Sequence, residues 1–569
     1  MRILKAGCRR GRILLDKRQG EGNAFMSLLK KRDAVLQGGL AENKNTEDDF
    51  GEKPSDTDME LAYDRMDCIK IYHDEMCQRG FSELDKTTWN DLEMDMVFLR
   101  MNHTKSYVGE QYLYHRLHDV NVDKNKLTAL KEQMEFYKNN AAKRMTLEKG
   151  LKGFGKLESS FYLPSFLMNS QNWKIPYTAC YYILQLLLLA FVIASVFVKY
   201  EFFLGIILIG AINLTVYTLA KMRYEEFLNA AGGLKQILGF SRFIAESEYK
   251  TDLKISDEIV EICNGMKDVS KKLVRWQTRK NYSLSGDVMA ELADFLYGVT
   301  LLELSMFNRV MKEVNGRQEQ IMKLYEMVGE IDMGISVASF RESVCCCCNP
   351  NIGDVEEFRV KNLVHPLIEN AVSNDFILKN RALISGANAS GKSTFMKALA
   401  VNTILAQTVF TCTADEFSMP KVYVISSMAL RDDVVTGDSY YIREAKRIKE
   451  MLNRDDKNKK SLIVIDEILK GTNTHERIAA SFAILDYFAG TSHFVLVATH
   501  DMELVNGMKE RYESFYFESR INEENIIFDY HINKGIGGKS NAIALLSVLG
   551  YPQEIVESAR ERFNKYTAT

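Results

Sequence analysis

Two apolar runs separated by three residues constrain this chain more than any other feature. The first, Tyr177–Val198, reads YTACYYILQLLLLAFVIASVFV, with Gln185 as its one amide side chain. The second, Phe202–Leu219, reads FFLGIILIGAINLTVYTL. As a helix the first would extend about 33 Å at about 1.5 Å per residue, enough to cross a hydrocarbon layer of about 30 Å, and the second adds another 18 residues. The linker Lys199-Tyr200-Glu201 is too short for anything but an antiparallel helical hairpin. A buried hairpin in a large soluble core is the alternative, and the near absence of charge in two adjacent runs disfavours it. Lys174 flanks the entry and Lys221 and Arg223 the exit, whereas the turn sets Lys199 against Glu201. By the positive-inside rule both flanking parts then face the cytoplasm, and the chain is expected to be a multi-pass protein of the cytoplasmic membrane. Gln185 and Asn213 are expected to hydrogen-bond across the helices or to a second copy. With no ionisable residue in either run, the hairpin reads as an anchor and less as a channel.

The remainder has an ordinary soluble composition. Of 569 residues, 26% are charged and 46% hydrophobic, and the formal net charge is −3. That balance gives no global sign of nucleic-acid binding, which would need a local basic face. The length predicts two to four domains. The start, MRILKAGCRRGRILLDKRQG, is basic without a continuous apolar core, so it is not a signal peptide. It reads as a membrane-surface or nucleic-acid arm, as a frayed tail, or as the product of a start assigned upstream of Met26. AENKNTEDDFGEKPSDTDME is acidic and aperiodic, and residues 1–58 are expected to be a disordered tail. Ten cysteines lack a disulfide-like framework. The run Cys345–Cys348 lacks the CxxC spacing of a zinc site and is expected to be structural before metal-binding or redox-active.

On both sides of the hairpin, over 59–175 and 223–340, the chain is charged, apolar-periodic and poor in breakers. Ile259, Ile262, Met266, Val269 and Leu273 recur at helical spacing. These stretches predict packed amphipathic helices into which the hairpin is inserted.

The chemistry lies further on. ALISGANASGKST is an apolar strand running into Gly386, four residues, then Gly391-Lys392-Ser393. Glycines at these points let backbone N–H groups wrap phosphates, and the following helix turns its N-terminus to the anion. Lys392 would reach the terminal phosphates of ATP, and the Ser393 hydroxyl would hold Mg²⁺. SLIVIDE is a buried strand ending in Asp466, suited to Mg²⁺, and Glu467, suited to polarising the attacking water. HFVLVATH brings His500 to the same sheet edge. Each feature alone has a bland reading, a helix cap or a core histidine; three polar strand tips in this order predict an ATPase.

The wording of these segments resembles the MutS family, the mismatch-repair ATPases of the ABC superfamily. GANASGKSTFMKALA is similar to the family's phosphate loop, with Ala387 where proline is usual. RDDVVTGDSYYIREAKRI resembles its signature segment at Asp433, Gly437, Ser439 and Glu444, with Tyr440 and Tyr441 in place of Thr and Phe. DEILKGTNTHE and ATHDMEL resemble the Walker B, D-loop and His-switch segments. LVHPLIENAVSNDFIL resembles the entry to the ATPase domain at His365-Pro366, and GGKSNAIALLSVLGYPQEIVESARERF the C-terminal pairing helices. The resemblance implies an α/β P-loop ATPase domain at 341–545, dimerisation helices at 546–569, and core and lever helices at 59–175 and 223–340 around the transmembrane hairpin at 176–222. It also implies a nucleotide site of Phe376, Gly386, Ala387, Asn388, Ala389, Ser390, Gly391, Lys392, Ser393 and Thr394. Phe376 would stack on adenine, and Ser439 would come from the partner of a homodimer to meet the γ-phosphate.

Departures from the family pattern are as informative. The chain shows no counterpart of the mismatch-reading domain or connector, and no Phe-x-Glu in a setting suited to the family's wedge. The hairpin stands where the family carries levers and a DNA clamp. The favoured expectation is a membrane-anchored MutS-like ATPase whose output has moved from DNA to lipid. A repair or recombination factor binding mismatched or branched double-stranded DNA is the second, and an ATPase subunit serving a membrane-protein or transport partner the third.

Overall fold

The computed structural model describes residues 48–567 except 82–83, 122–123, 169–177, 272, 274–294, 354, 388, 429–439, 455–459, 471, 522–525, 538–542, 544–545 and 548–549. The basic N-terminal arm, Asn388, and the signature positions Asp433, Gly437 and Ser439 lie outside the described residues. Gly51–Thr569 cluster as one unit, and residues 48–50 belong with the segment before them.

The C-terminal half is built on a six-stranded sheet in the order β10-β9-β4-β8-β7-β6. Its members are β4 (Arg381–Ser385), β6 (Tyr423–Ser427), β7 (Ser461–Asp466), β8 (Phe494–Ala498), β9 (Glu513–Ile521) and β10 (Ile526–Lys534). All neighbours are parallel except β10, which runs antiparallel to β9. The central strands are continuous Val/Ile/Leu runs because both faces are covered, as parallel sheets require. Against one face pack α9 (Tyr440–Leu452) and α10 (Thr474–Ala489), around Ile448, Met451, Leu485 and Phe488. A second sheet, in the order β1-β5-β2-β3, is formed by β1 (Asn351–Gly353), β2 (Phe358–Leu363), β3 (Asn374–Leu378) and β5 (Glu416–Pro420). Between the sheets runs α8 (Lys392–Val409), buried along most of its length. The cysteine run joins this region: Cys348 exchanges both backbone hydrogen bonds with buried Cys412, and all nine described cysteines are free thiols.

The helical half includes α1 (Met66–Gln78), α2 (Lys86–Asp91), α3 (Tyr107–His118) and α7 (Gln318–Glu342). The acidic tail ends earlier than its composition suggests, because Ser55 caps a helix over Asp56–Asp64, its Oγ accepting from Asp58 N at 3.1 Å. Buried α3 and α7 pack on each other, with Asp332 of α7 accepting from Lys105 N, Ser106 N and Ser106 Oγ at the start of α3. Short α2 ties this half to the six-stranded sheet. Asp91 accepts from Ser426 Oγ (2.8 Å) and Met428 N (2.9 Å), and Arg447 of α9 donates to Asp85 (2.7 Å), Thr88 Oγ1 (2.8 Å) and Ser426 O (2.8 Å).

The two apolar runs form α4 (Thr178–Phe197) and α5 (Phe203–Glu246), which pack together through the turn at 198–202. The 44-residue α5 passes without a break through position 222, so the second apolar run and the charged stretch after it are one continuous helix. Only 11% of the Ala179–Phe197 stretch and 22% of Tyr200–Ala220 is buried. The amides do not meet each other across the hairpin. Asn213 Nδ2 donates to Val299 O (2.6 Å), and Gln185 Nε2 to Thr300 O (3.0 Å) and Ser305 Oγ (2.8 Å). The break of the helix at Leu301 leaves the Val299 and Thr300 carbonyls to accept from these amides.

Candidate active site

The site is assembled at the C-terminal edge of the large sheet, where parallel strands leave their ends free for ligands. Register places Ile384 of β4 and Asp466 of β7 both opposite Ala498 of β8. The phosphate loop, Asp466 and the loop after β8 are thereby brought side by side. Gly386 (φ 146°) and Gly391 (φ 106°) take backbone conformations that an L side chain would strain, and they turn the chain from β4 into α8. Ala389 takes φ 65° in the same loop, and Ser390 is fully buried with its Oγ unpartnered in the protein.

Lys392 is buried at the start of α8, its Nζ 2.8 Å from both Gly386 O and Ala387 O. Burial lowers its pKa, and the nearby Asp466 and Glu467 work against that shift. Ser393 Oγ donates to Asp466 Oδ2 at 2.6 Å. A hydroxyl and a carboxylate at this separation are the hard oxygen donors Mg²⁺ takes, so the residues fit the ion. Glu467 sits one residue past the strand in left-handed backbone (φ 64°), its N–H bonded to Ala498 O at 3.0 Å. Its Oε1 is 2.6 Å from His500 Nδ1, and Oε2 is 3.5 Å from Lys470 Nζ. Burial alone would raise the Glu467 pKa; the hydrogen bond from His500 and the charge of Lys470 outweigh it and hold the carboxyl below its usual value. An ionised carboxylate is what orienting a water requires.

Ala389, Gly391, Lys392, Ser393, Thr394, Asp466, Glu467, Lys470 and Tyr530 line an open cavity of about 360 Å³. Phe376 does not reach it. Its ring is buried on β3, edge-on to Phe395 (5.1 Å) and Phe515 (4.9 Å). Tyr530 stands at the cavity instead, in left-handed backbone (φ 55°) at the register shift of β10, with Asn374 bonding its carbonyl and Ile532 N. Only the fold brings a residue so far from the glycine loop to its rim. Lys470 carries the weak signal of a cation three residues after Glu467.

Helix α9 reaches the site through Glu444. This buried carboxylate, on α9, accepts from Leu469 N at 2.7 Å just beyond Glu467, and burial raises its pKa. A shift of α9 is therefore felt at the loop that holds Glu467.

The chain is similar to known proteins over this region. Residues 382–567 match the family model MutS domain V, the ATPase domain of the MutS proteins. The chain is 30% identical over 280 residues to the DNA mismatch repair protein MutS of Fusobacterium nucleatum, covering 47% of this chain and 31% of that protein. It is 27% identical over 278 residues to the MutS protein of Fervidobacterium nodosum, covering 47% and 33%. It is 28% identical over 274 residues to human MutS protein homolog 4, covering 44% and 28%. The chain thus spans about a third of the length of the curated relatives it matches.

Proposed function

We propose, starting from the MutS-type ATPase domain at 382–567, that this chain is a membrane-anchored ATPase that hydrolyses MgATP. The observation that carries the catalytic half is the group Lys392, Ser393–Asp466 and Glu467–His500 at one sheet edge. Loop N–H groups and Lys392 bind the phosphates, and Ser393 and Asp466 hold Mg²⁺, which when bound neutralises phosphate charge. Glu467 orients the attacking water and takes its proton, and His500 holds the Glu467 carboxylate in place and keeps it ionised. The anchor reading is supported by the exposure of two long apolar helices that a soluble core would bury.

By the resemblance to the MutS family, Ser439 of a second copy would complete the site, so the working form is a homodimer closed by ATP and released by hydrolysis. Light scattering on Glu467→Ala with saturating ATP tests this, and a protein that stays monomeric refutes it. The 44-residue rod α5 and the α2–α9 contact would carry the cycle to the hairpin.

The relatives are named for DNA mismatch repair, which favours a second reading in which the chain binds mismatched or branched DNA. One experiment separates the two. ATP turnover of the detergent-purified protein is measured alone and with homoduplex, mismatched duplex and a four-way junction, with Glu467→Ala as the blank. Equal turnover in all four conditions supports an engine serving the membrane; selective stimulation by mismatch or junction favours repair.

A further inference from the structure

The two amides in the hairpin point to a third membrane element. Residues 295–300 are helical, Leu301 breaks the helix in left-handed backbone (φ 52°), and α6 (Leu302–Val314) begins immediately after it. A helix that ends this way leaves its last carbonyls without intrahelical donors. Two of those carbonyls, Val299 O and Thr300 O, are the ones that Asn213 and Gln185 satisfy. Gln185 also holds Ser305 Oγ on the first turn of α6.

Depth follows from helix rise. Asn213 is seven residues inside Ala220, and Gln185 six inside Ala179, the ends of the apolar stretches on the lever side. At about 1.5 Å per residue both amides lie roughly 10 Å below that side, and the two helices agree independently. The contacts continue upward in step. Val299 lies against Asn213, and one turn later the Tyr217 hydroxyl donates to Glu303 Oε2 at 2.5 Å, so α6 climbs alongside α5 toward the levers. This sets the Glu303 carboxylate within about 5 Å of Ala220, at interface depth, where a tyrosine partner is at home. Close approach is allowed by glycine. A Cβ on Gly298 would sit 3.0 Å from Leu214 and Tyr217, and one on Gly210 would sit 3.5 Å from Val299. Phe295, Leu296 and Leu302 point outward, 52%, 53% and 42% exposed, continuous with the bare surface of the hairpin.

We propose that residues 295–304 enter the same bilayer as the hairpin, as a broken helix sealed by Gln185 and Asn213 with Phe295, Leu296 and Leu302 against acyl chains. The proposal rests on the membrane reading of the hairpin. Irregular backbone survives at membrane depth only where protein groups satisfy it, which is what the two amides do. The inserted segment leads through α6 and α7 directly into β1 of the ATPase domain. It therefore stands closer along the chain to the ATPase domain than α4 or α5.

The test uses full-length protein in phosphatidylcholine vesicles whose acyl chains carry bromine, which quenches tryptophan on contact. Tryptophan is placed singly at Leu296, Leu302, the hairpin position Leu186 and the ATPase-surface position Tyr487, and the three native tryptophans are subtracted using the unsubstituted chain. Emission from Leu296→Trp and Leu302→Trp is expected to fall at least twofold, as for Leu186→Trp, with Tyr487→Trp unchanged. Quenching at Leu186→Trp with none at the other two overturns the third element and leaves the anchor standing. No quenching at any of the three sinks the anchor and the proposal together. In a Leu296→Trp background, Gln185→Leu with Asn213→Leu is expected to abolish quenching at 296 and preserve it in the matching Leu186→Trp protein; unchanged quenching at 296 overturns the sealing role.

Discussion

At the scale of single residues, the proposed ATP site separates groups placed to bind from one placed to react. Glu467→Gln keeps the shape of the side chain and removes the base, so turnover is expected to fall at least about 10²-fold with nucleotide binding retained, measured by steady-state hydrolysis and equilibrium dialysis. His500→Ala removes a hydrogen bond of 2.6 Å to Glu467. A charged hydrogen bond contributes about 1.5–3 kcal/mol, so the expected loss in kcat is about ten- to hundredfold, smaller than that of Glu467→Gln. If His500→Ala matches wild type, His500 does not act through Glu467. Tyr530→Ala, at the cavity rim, is expected to raise KM for ATP about 2- to 12-fold, the worth of one aromatic contact of about 0.5–1.5 kcal/mol, with little change in kcat. Phe376→Ala should instead lower stability, because its ring packs against Phe395 and Phe515.

At the scale of elements, two junctions carry the argument. The first is α2 against β6 and α9, where Arg447 holds Asp85 and Thr88. Asp85→Ala and Arg447→Ala are each expected to lower the unfolding temperature, and the double variant by less than their sum, with coupling of about 0.5–3 kcal/mol. Strict additivity would mean that this contact does not act as a pair. The second junction is a cluster between α1 and α3: His73 Nδ1 lies 3.2 Å from His115 Nδ1, and His118 stacks on Trp89 at 3.6 Å. Burial pushes His115 down to about 3 and His118 well below its ordinary value. Below pH 6.5 the unfolded chain takes up protons at these rings and the folded chain does not, so stability falls as pH drops, by at most about 1.4 kcal/mol per pH unit for each. A thermal-shift series from pH 7.5 to 4.5 should show this decline, and His115→Gln should flatten it. The helical spacing in the sequence foretold helices here. It did not foretell that three histidines would meet, since they come from two helices whose crossing depends on packing.

At the scale of the whole molecule, the protein joins an ATPase sheet to an apolar helical unit through continuous helices. Deleting 178–219 is expected to move the protein from the membrane fraction to the soluble fraction; a deletion variant that stays with membranes removes the hairpin as anchor. Much of this plan was legible beforehand. A run of about 20 apolar residues, a glycine-spaced loop ending in Gly-Lys-Ser, and strands ending in Asp-Glu and His are local patterns. Each is dictated by backbone chemistry or solvent transfer within one segment. The continuity of the helix through 222 was not legible, because the change from apolar to charged residues at Lys221 leaves untouched the backbone bonds that carry a helix.

By itself, then, the sequence singled out the phosphate loop, Lys392, Ser393, Asp466, Glu467 and His500, which the fold brings together at one sheet edge, and the apolar hairpin as the unusual insertion. The tertiary structure alone decided that Tyr530 reaches the nucleotide cavity and Phe376 is buried, that Glu444 grips the loop holding Glu467, and that Gln185 and Asn213 serve a broken backbone more than 80 residues away. The physical reason is the range of the forces that select each feature. Turn geometry, helix propensity and apolar transfer act over a few neighbouring residues and leave a readable spacing. A buried acceptor needing a donor imposes no spacing at all; it is met by whatever residue the packing of distant elements brings within about 3 Å.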